Sequence, residues 1–115
     1  MSLIAVSAQG DTPEASVDPR FGRAKGFGLY DPSAQYWSYL SNDAAQAQAQ
    51  GAGLAAVELL ARAKVTVVLS GSIGPKAAVA LRAAGIASVE GADGQTVRQA
   101  VAAHLEMPQR GDAKS

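Results

Sequence analysis

The amino-acid sequence predicts a mixed α/β fold, one sheet with both parallel and antiparallel strands, covered by helices. Three observations carry this. The first half reads as three strands, two of them joined by turn chemistry as a hairpin. The second half alternates helix and strand, and helical crossovers join parallel strands. The first and fourth strands are apolar on both faces, which places them at the centre of the sheet.

Residues 3–8, LIAVSA, form a short β run with Ile4 and Val6 on one face and Leu3 and Ala5 on the other. A polar stretch and a basic loop follow, then a second strand over 27–30. Asp31, Pro32 and Ser33 make the turn into a third strand over 36–40, where Tyr36, Trp37 and Tyr39 are expected to pack across the hairpin. Residues 42–52, NDAAQAQAQGA, are a low-complexity polar and alanine stretch, expected as a loop leading to a helix over about 53–63. A buried strand over 65–70 meets the tight turn Gly71-Ser72-Ile73-Gly74, and Pro75 suits the first turn of a helix that runs to 84. Gly85 is a natural residue to end that helix, 86–89 is a fifth strand, and Thr96-Val97-Arg98-Gln99 is a capping box opening a helix through about 105. Residues 1–107 are expected as one domain and 108–115 as a frayed tail.

Composition removes several function classes. At 115 residues the chain can bury roughly two-thirds of its unfolded surface without staples. No apolar run approaches the roughly 20 residues that cross a bilayer. The opening MSLIAVSAQG lacks a basic n-region and reads as a strand rather than a signal peptide, so the cytoplasm is the expected compartment. The absence of cysteine excludes disulfides, thiolate nucleophiles and Cys-ligated zinc or iron–sulfur centres, and a lone histidine excludes a His-pair zinc site. Ten basic and ten acidic residues balance, which argues against the broad basic face of a nucleic-acid binder. Neither nucleic acid nor membrane is an expected partner.

Against that neutral background, positions 18–25 crowd Arg20, Arg23 and Lys25 around a single carboxylate, Asp18. Two accounts stand. In one, this is a surface turn in which Asp18 pairs with Arg20 or Arg23 and Phe21 plugs the core edge. In the other, guanidinium forks hold an anion while Gly22 lets the backbone approach. The turn at Gly71, Ser72 and Gly74 likewise either needs glycine for geometry or presents amides and a helix dipole, with Lys76, to an anion. Gly51 and Gly53, in QGAG, make a plain helix start or a third wall of the same site. In open α/β sheets ligands bind beyond the carboxyl ends of the parallel strands, where these three segments converge. His104 is expected in packing or as a dipole partner. No catalytic constellation emerges: the serines lack an activating base, and Asp18, Asp31 and Glu90 are too scattered for two-metal hydrolysis.

VDPRFGRA at 17–24, QGAG at 50–53 and SGSIGPKAAVALRAAGI at 70–86 resemble the dinitrogenase iron–molybdenum cofactor biosynthesis family, which includes NifX, NafY and the C-terminal part of NifB. The resemblance covers residues 3 to about 105, and DPRFGR combined with a later GxxGPxAxxxLxxAGI is more specific than either piece. It implies a ribonuclease H-like three-layer α/β/α fold with five strands in the order 3-2-1-4-5, the second antiparallel. It implies non-enzymatic binding or carriage of a preformed anionic metal–sulfur cluster, the iron–molybdenum cofactor, its precursor or a related Mo/Fe–S cluster, with cofactor-synthesis or acceptor proteins as partners. Some relatives hold a molybdenum–copper sulfide cluster. Lacking cysteine, this chain is expected to hold a cluster noncovalently, through Asp18, Arg20, Phe21, Gly22, Arg23, Gly51, Gly53, Gly71, Ser72, Gly74 and Lys76. Two other classes stay open: a hydrolase or transferase using the basic loop as a phosphate clamp, and a regulatory module whose loop meets a partner protein.

Overall fold

Alternation along β1, Ile4–Ala8, sorts the molecule into layers, because successive side chains of a strand face opposite sides of the sheet. A computed structural model describes residues 2–106. Ile4, Val6 and Ala8 face a cluster completed by Leu69 and by Val97, Ala100 and Val101 of the C-terminal helix. Ala5 faces the opposite cluster, with Phe27, Leu29 and Val68, under Ala56, Val57, Leu60, Ala77 and Leu81 from two other helices. The result is a three-layer α/β/α arrangement around a single sheet.

The strands are β1, β2 (Gly26–Asp31), β3 (Tyr36–Ser41), β4 (Val67–Leu69) and β5 (Ala87–Val89), in the spatial order β3-β2-β1-β4-β5. β1 pairs antiparallel with β2, with Ile4 opposite Tyr30 and Ala8 opposite Gly26, and parallel with β4, with Ile4 opposite Val67. β4 and β5 are parallel, and β2 and β3 form the hairpin, so the strand order and the antiparallel second strand match the expectation. Tyr30 and Trp37 stack across that hairpin with ring centroids 4.5 Å apart. Tyr36 instead points to solvent, 64% exposed.

The helices are α1 (Asp43–Gln46), α2 (Ala52–Arg62), α3 (Pro75–Ala83) and α4 (Val97–Glu106). Local chemistry fixes their ends. Pro75 sits in the first turn of α3, and Gly85 follows its end with φ 78°. The Thr96 and Gln99 pair is reciprocal: Gln99 N–H donates to Thr96 Oγ1 at 3.1 Å, and Thr96 N–H to Gln99 Oε1 at 2.9 Å. The stretch 42–52 departs from the expected loop, since it contains α1. Composition concealed this turn because what holds it is tertiary: Asn42 is buried, and its side chain is bonded to the basic loop rather than capping its own helix. The strand expected over 65–70 pairs only over Val67–Leu69, although Val65 and Ser70 are buried at its ends. The expected tail at 108–115 lies outside the described residues.

Candidate functional site

The loop from β1 to β2 is tied back to the end of β1 as it enters its basic stretch. Val17 bridges to Ala8, Asp18 N–H donates to Ser7 O at 2.8 Å, and Ser7 Oγ donates to Asp18 O at 2.7 Å. Ser7 Oγ also lies 2.8 Å from Ser70 Oγ, and both hydroxyls are fully buried. The Asp18 carboxylate, itself buried, accepts Arg20 N–H at 2.9 Å and Arg20 Nε at 3.3 Å. Arg20 therefore completes a turn with its own neighbour.

Beyond Arg20 the loop runs alongside the 71–74 turn. Ser72 N–H donates to Pro19 O at 2.7 Å and Phe21 N–H to Ser72 O at 3.1 Å. Gly71 permits this approach, because a Cβ there would lie 2.6 Å from Pro19 Cα. Phe21 is buried, 5.6 Å from the ring of Phe27. Gly22 then seats on the first turn of α2: a Cβ at Gly22 would stand 2.7 Å from Gly53 N and 2.8 Å from Gly53 Cα. The Arg23 guanidinium reaches across to the end of α1 and the segment after it, and donates to the carbonyls of Gln46, at 3.0 Å, Gln48 and Ala49. In return, Asn42 Nδ2 donates to the carbonyls of Gly22, at 3.2 Å, and Ala24, at 2.9 Å, while Gln46 Nε2 donates to Arg23 O at 3.2 Å.

These contacts leave an open groove of about 730 Å³ between the loop and the starts of α2 and α3. That size is within the roughly 300–1,000 Å³ of ordinary small-molecule sites. Phe21, Gly22, Arg23, Gly51, Gly53, Gly74 and Lys76 line it together with Gln50, Ala52, Leu54, Pro75 and Ala77. The groove lies at the carboxyl ends of β1 and β4, the end of the sheet where the three segments were expected to converge. Asp18, Arg20, Gly71 and Ser72 stand behind it as framework rather than in its lining.

Both helices arrive without a side-chain cap. The first helical bonds are Ala55 N–H to Gly51 O, 3.0 Å, and Ala78 N–H to Gly74 O, 2.9 Å. The amides of Ala52, Gly53 and Leu54 in α2, and of Lys76 and Ala77 in α3, precede those bonds and are the orphan donors of each helix start. Each helix N-terminus carries the equivalent of roughly half a positive charge. Two of them together with the Lys76 ammonium give a local field suited to a small anion in a chain of zero formal net charge. Gly51 lets the chain turn sharply into α2, at φ 78°.

Residues not anticipated from the sequence complete this picture. Asn42 and Gln46 lay hidden in a stretch of repeated alanine and glutamine, and only its Asn-Asp start hinted at a helix beginning. Glu90 fills the 71–74 turn itself: its Oε2 accepts Ile73 N–H at 2.8 Å. Two of that turn's amides are thus taken, that of Ser72 by Pro19 O and that of Ile73 by Glu90. Among the described residues no three His, Asp or Glu side chains gather as a metal site, and none of the groove's lining residues is a serine, histidine or carboxylate.

Fold and site together define an α/β/α domain with a groove bordered by two uncapped helix starts and Lys76. The chain belongs to the dinitrogenase iron-molybdenum cofactor family, whose model matches residues 1–107. Among solved structures it is similar to the apo form of the orange protein from Desulfovibrio gigas. The two are 45% identical with a TM-score of 0.90, over 92% of this chain and 88% of the other. It is also similar to a candidate NifB protein from Thermotoga solved by NMR, at 30% identity and a TM-score of 0.77, over 92% of this chain and 89% of that one. No curated protein matches it in sequence.

Proposed function

We propose that this protein binds and carries a preformed anionic metal–sulfur cluster, such as the iron–molybdenum cofactor, its precursor or a related molybdenum or iron–sulfur cluster, in the groove between α2 and α3. The observation that carries the proposal is the convergence of two uncapped helix starts and Lys76 on one groove. Family membership and the resemblance to an apo-form protein support it.

The donor set fits such a cargo. Sulfide and oxo atoms at a cluster surface accept hydrogen bonds, and the groove offers amide N–H groups and an ammonium. Phe21, Ala52, Leu54, Pro75 and Ala77 supply apolar walls for polarizable sulfur. With no cysteine in the chain the cargo is held without a metal–thiolate bond, so release to an acceptor protein breaks none. The lining also lacks a nucleophile paired with a base, which favours carriage over phosphoester hydrolysis or transfer. Asp18, Arg20, Gly71 and Ser72 hold the loop and turn that frame the groove, and Arg23 stands at its rim.

Anaerobic titration with tetrathiomolybdate and, separately, with isolated iron–molybdenum cofactor, followed by visible absorbance and equilibrium dialysis, tests this. Saturable binding of at least one is expected. Lys76→Ala is expected to weaken it about tenfold, the loss of one charge-assisted contact. Absence of saturable binding to either, or turnover of phosphoesters by the purified protein, refutes the carrier function.

A further inference from the structure

Asn42 is 1% exposed and lies outside the groove lining, yet its side chain is bonded to the loop that forms one wall. Its Nδ2 bridges two carbonyls of that loop, Gly22 O at 3.2 Å and Ala24 O at 2.9 Å. Its own backbone is fixed too: Asn42 N–H donates to Lys25 O at 3.1 Å, and Asn42 O accepts Gln46 N–H at 2.8 Å. The Oδ1 atom has no partner among the described residues. The buried amide is therefore oriented by what it donates, not by what it accepts.

Planarity converts these bonds into a statement about the opposite side of the loop. In a trans peptide the C=O and the next N–H point in opposite directions, and there is no cis peptide bond among the described residues. Gly22 O turned toward Asn42 means that Arg23 N–H is turned away from Asn42. Gly22 and Arg23 line the groove, whereas Asn42 does not. Among the described residues the Arg23 amide has no acceptor of its own. The loop cannot relieve this by shifting inward, since Gly22 already sits against the backbone of Gly53.

From this we infer that Asn42 is a positioning residue for anion binding: it fixes the Gly22–Arg23 peptide so that the Arg23 amide joins the amides of α2 and α3 around the ligand. On this view Arg23 contributes to the groove through its backbone, while its guanidinium is occupied by the carbonyls of Gln46, Gln48 and Ala49. The inference rests on the carrier function proposed above and adds a donor from the third wall, together with the side chain that sets it.

The test uses ¹⁵N-labelled protein titrated anaerobically with tetrathiomolybdate, comparing wild type with Asn42→Ala. In wild type the amide resonance of Arg23 is expected to move with the same saturation curve as those of Gly53 and Lys76. In Asn42→Ala the Gly53 and Lys76 resonances still respond, the Arg23 resonance does not, and affinity falls about tenfold, the value of one lost hydrogen bond to a charged acceptor. Saturable binding by wild type with an unmoved Arg23 amide overturns the inference and leaves the carrier function standing, and this holds even if Asn42→Ala fails to fold. A folded Asn42→Ala that binds as tightly as wild type, with Arg23 still responding, overturns it as well. No saturable binding by wild type removes the carrier function and this inference together.

Discussion

Replacing Gly22 by alanine adds a methyl group where the structure has no room for one. The new Cβ would stand 2.7 Å from Gly53 N, 2.8 Å from Gly53 Cα and 3.1 Å from Ala52 C, all backbone atoms at the start of α2. A side chain could rotate away, but a helix start cannot. The loop must lift off α2, stretching the bonds from Asn42 to Gly22 O and Ala24 O, or α2 must shift against α3. Overpacking of this kind costs about 1–3 kcal/mol. In a domain of this size 1 kcal/mol moves the melting midpoint by about 4 °C, so the expected fall is about 4–12 °C. Two further glycines in the groove separate this cause from others. Gly74 has φ −63° and open space around its missing Cβ, so Gly74→Ala is expected to leave the midpoint within about 2 °C of wild type. Gly51 also has open space but φ 78°, so Gly51→Ala is expected to cost about 1–2 kcal/mol through backbone strain alone. Thermal unfolding followed by circular dichroism reads all three. A Gly22→Ala protein that melts with wild type and Gly74→Ala refutes the seating of the loop on α2, and with it the shape of the groove.

Two other expectations follow from contacts on either side of the sheet. Arg23→Ala removes a guanidinium that joins the loop to three carbonyls at the end of α1 and just beyond it, and is expected to cost about 1 kcal/mol after allowance for its partial exposure and to speed amide exchange over residues 46–51; unchanged exchange there would show that the clasp contributes nothing. On the α4 side, Arg98 Nε donates to Glu14 Oε2 at 2.6 Å, and that hydrogen bond, followed by the guanidinium's charge, holds the Glu14 carboxyl below its ordinary value. The folded-state value is lowered, so the pair's stabilisation is present above the unfolded-state value and is lost as pH falls through the lowered one. An NMR titration of Glu14 is expected to give a midpoint that rises in Arg98→Ala, and an identical midpoint in both proteins would refute the pairing.

The sequence by itself determined the elements whose causes are local. The alternation in LIAVSA, the turn chemistry at Asp31, Pro32 and Ser33, Pro75 at the start of α3, Gly85 after its end, and the Thr96 and Gln99 box each act within a few residues, where chain connectivity already sets the geometry. The motifs at 17–24, 50–53 and 70–86 likewise pointed to the family and, through it, to the strand order. What the sequence left open is how the cations of the basic loop and of the start of α3 are used. Arg20, Arg23 and Lys76 carry the same charge, yet one completes a turn with Asp18, one clasps the carbonyls of Gln46, Gln48 and Ala49, and one stands exposed at the groove. The helical turn at Asp43–Gln46 and the bonds from Asn42 to the loop were nearly as hidden, because beyond its Asn-Asp start nothing within the low-complexity stretch itself calls for them. A guanidinium or an amide takes whichever acceptors packing brings within about 3 Å. For Arg23 and Asn42 those acceptors lie some 20 residues away along the chain, so only the seating of the loop against α2, through Gly22 and Gly53, decides which donors remain for a ligand.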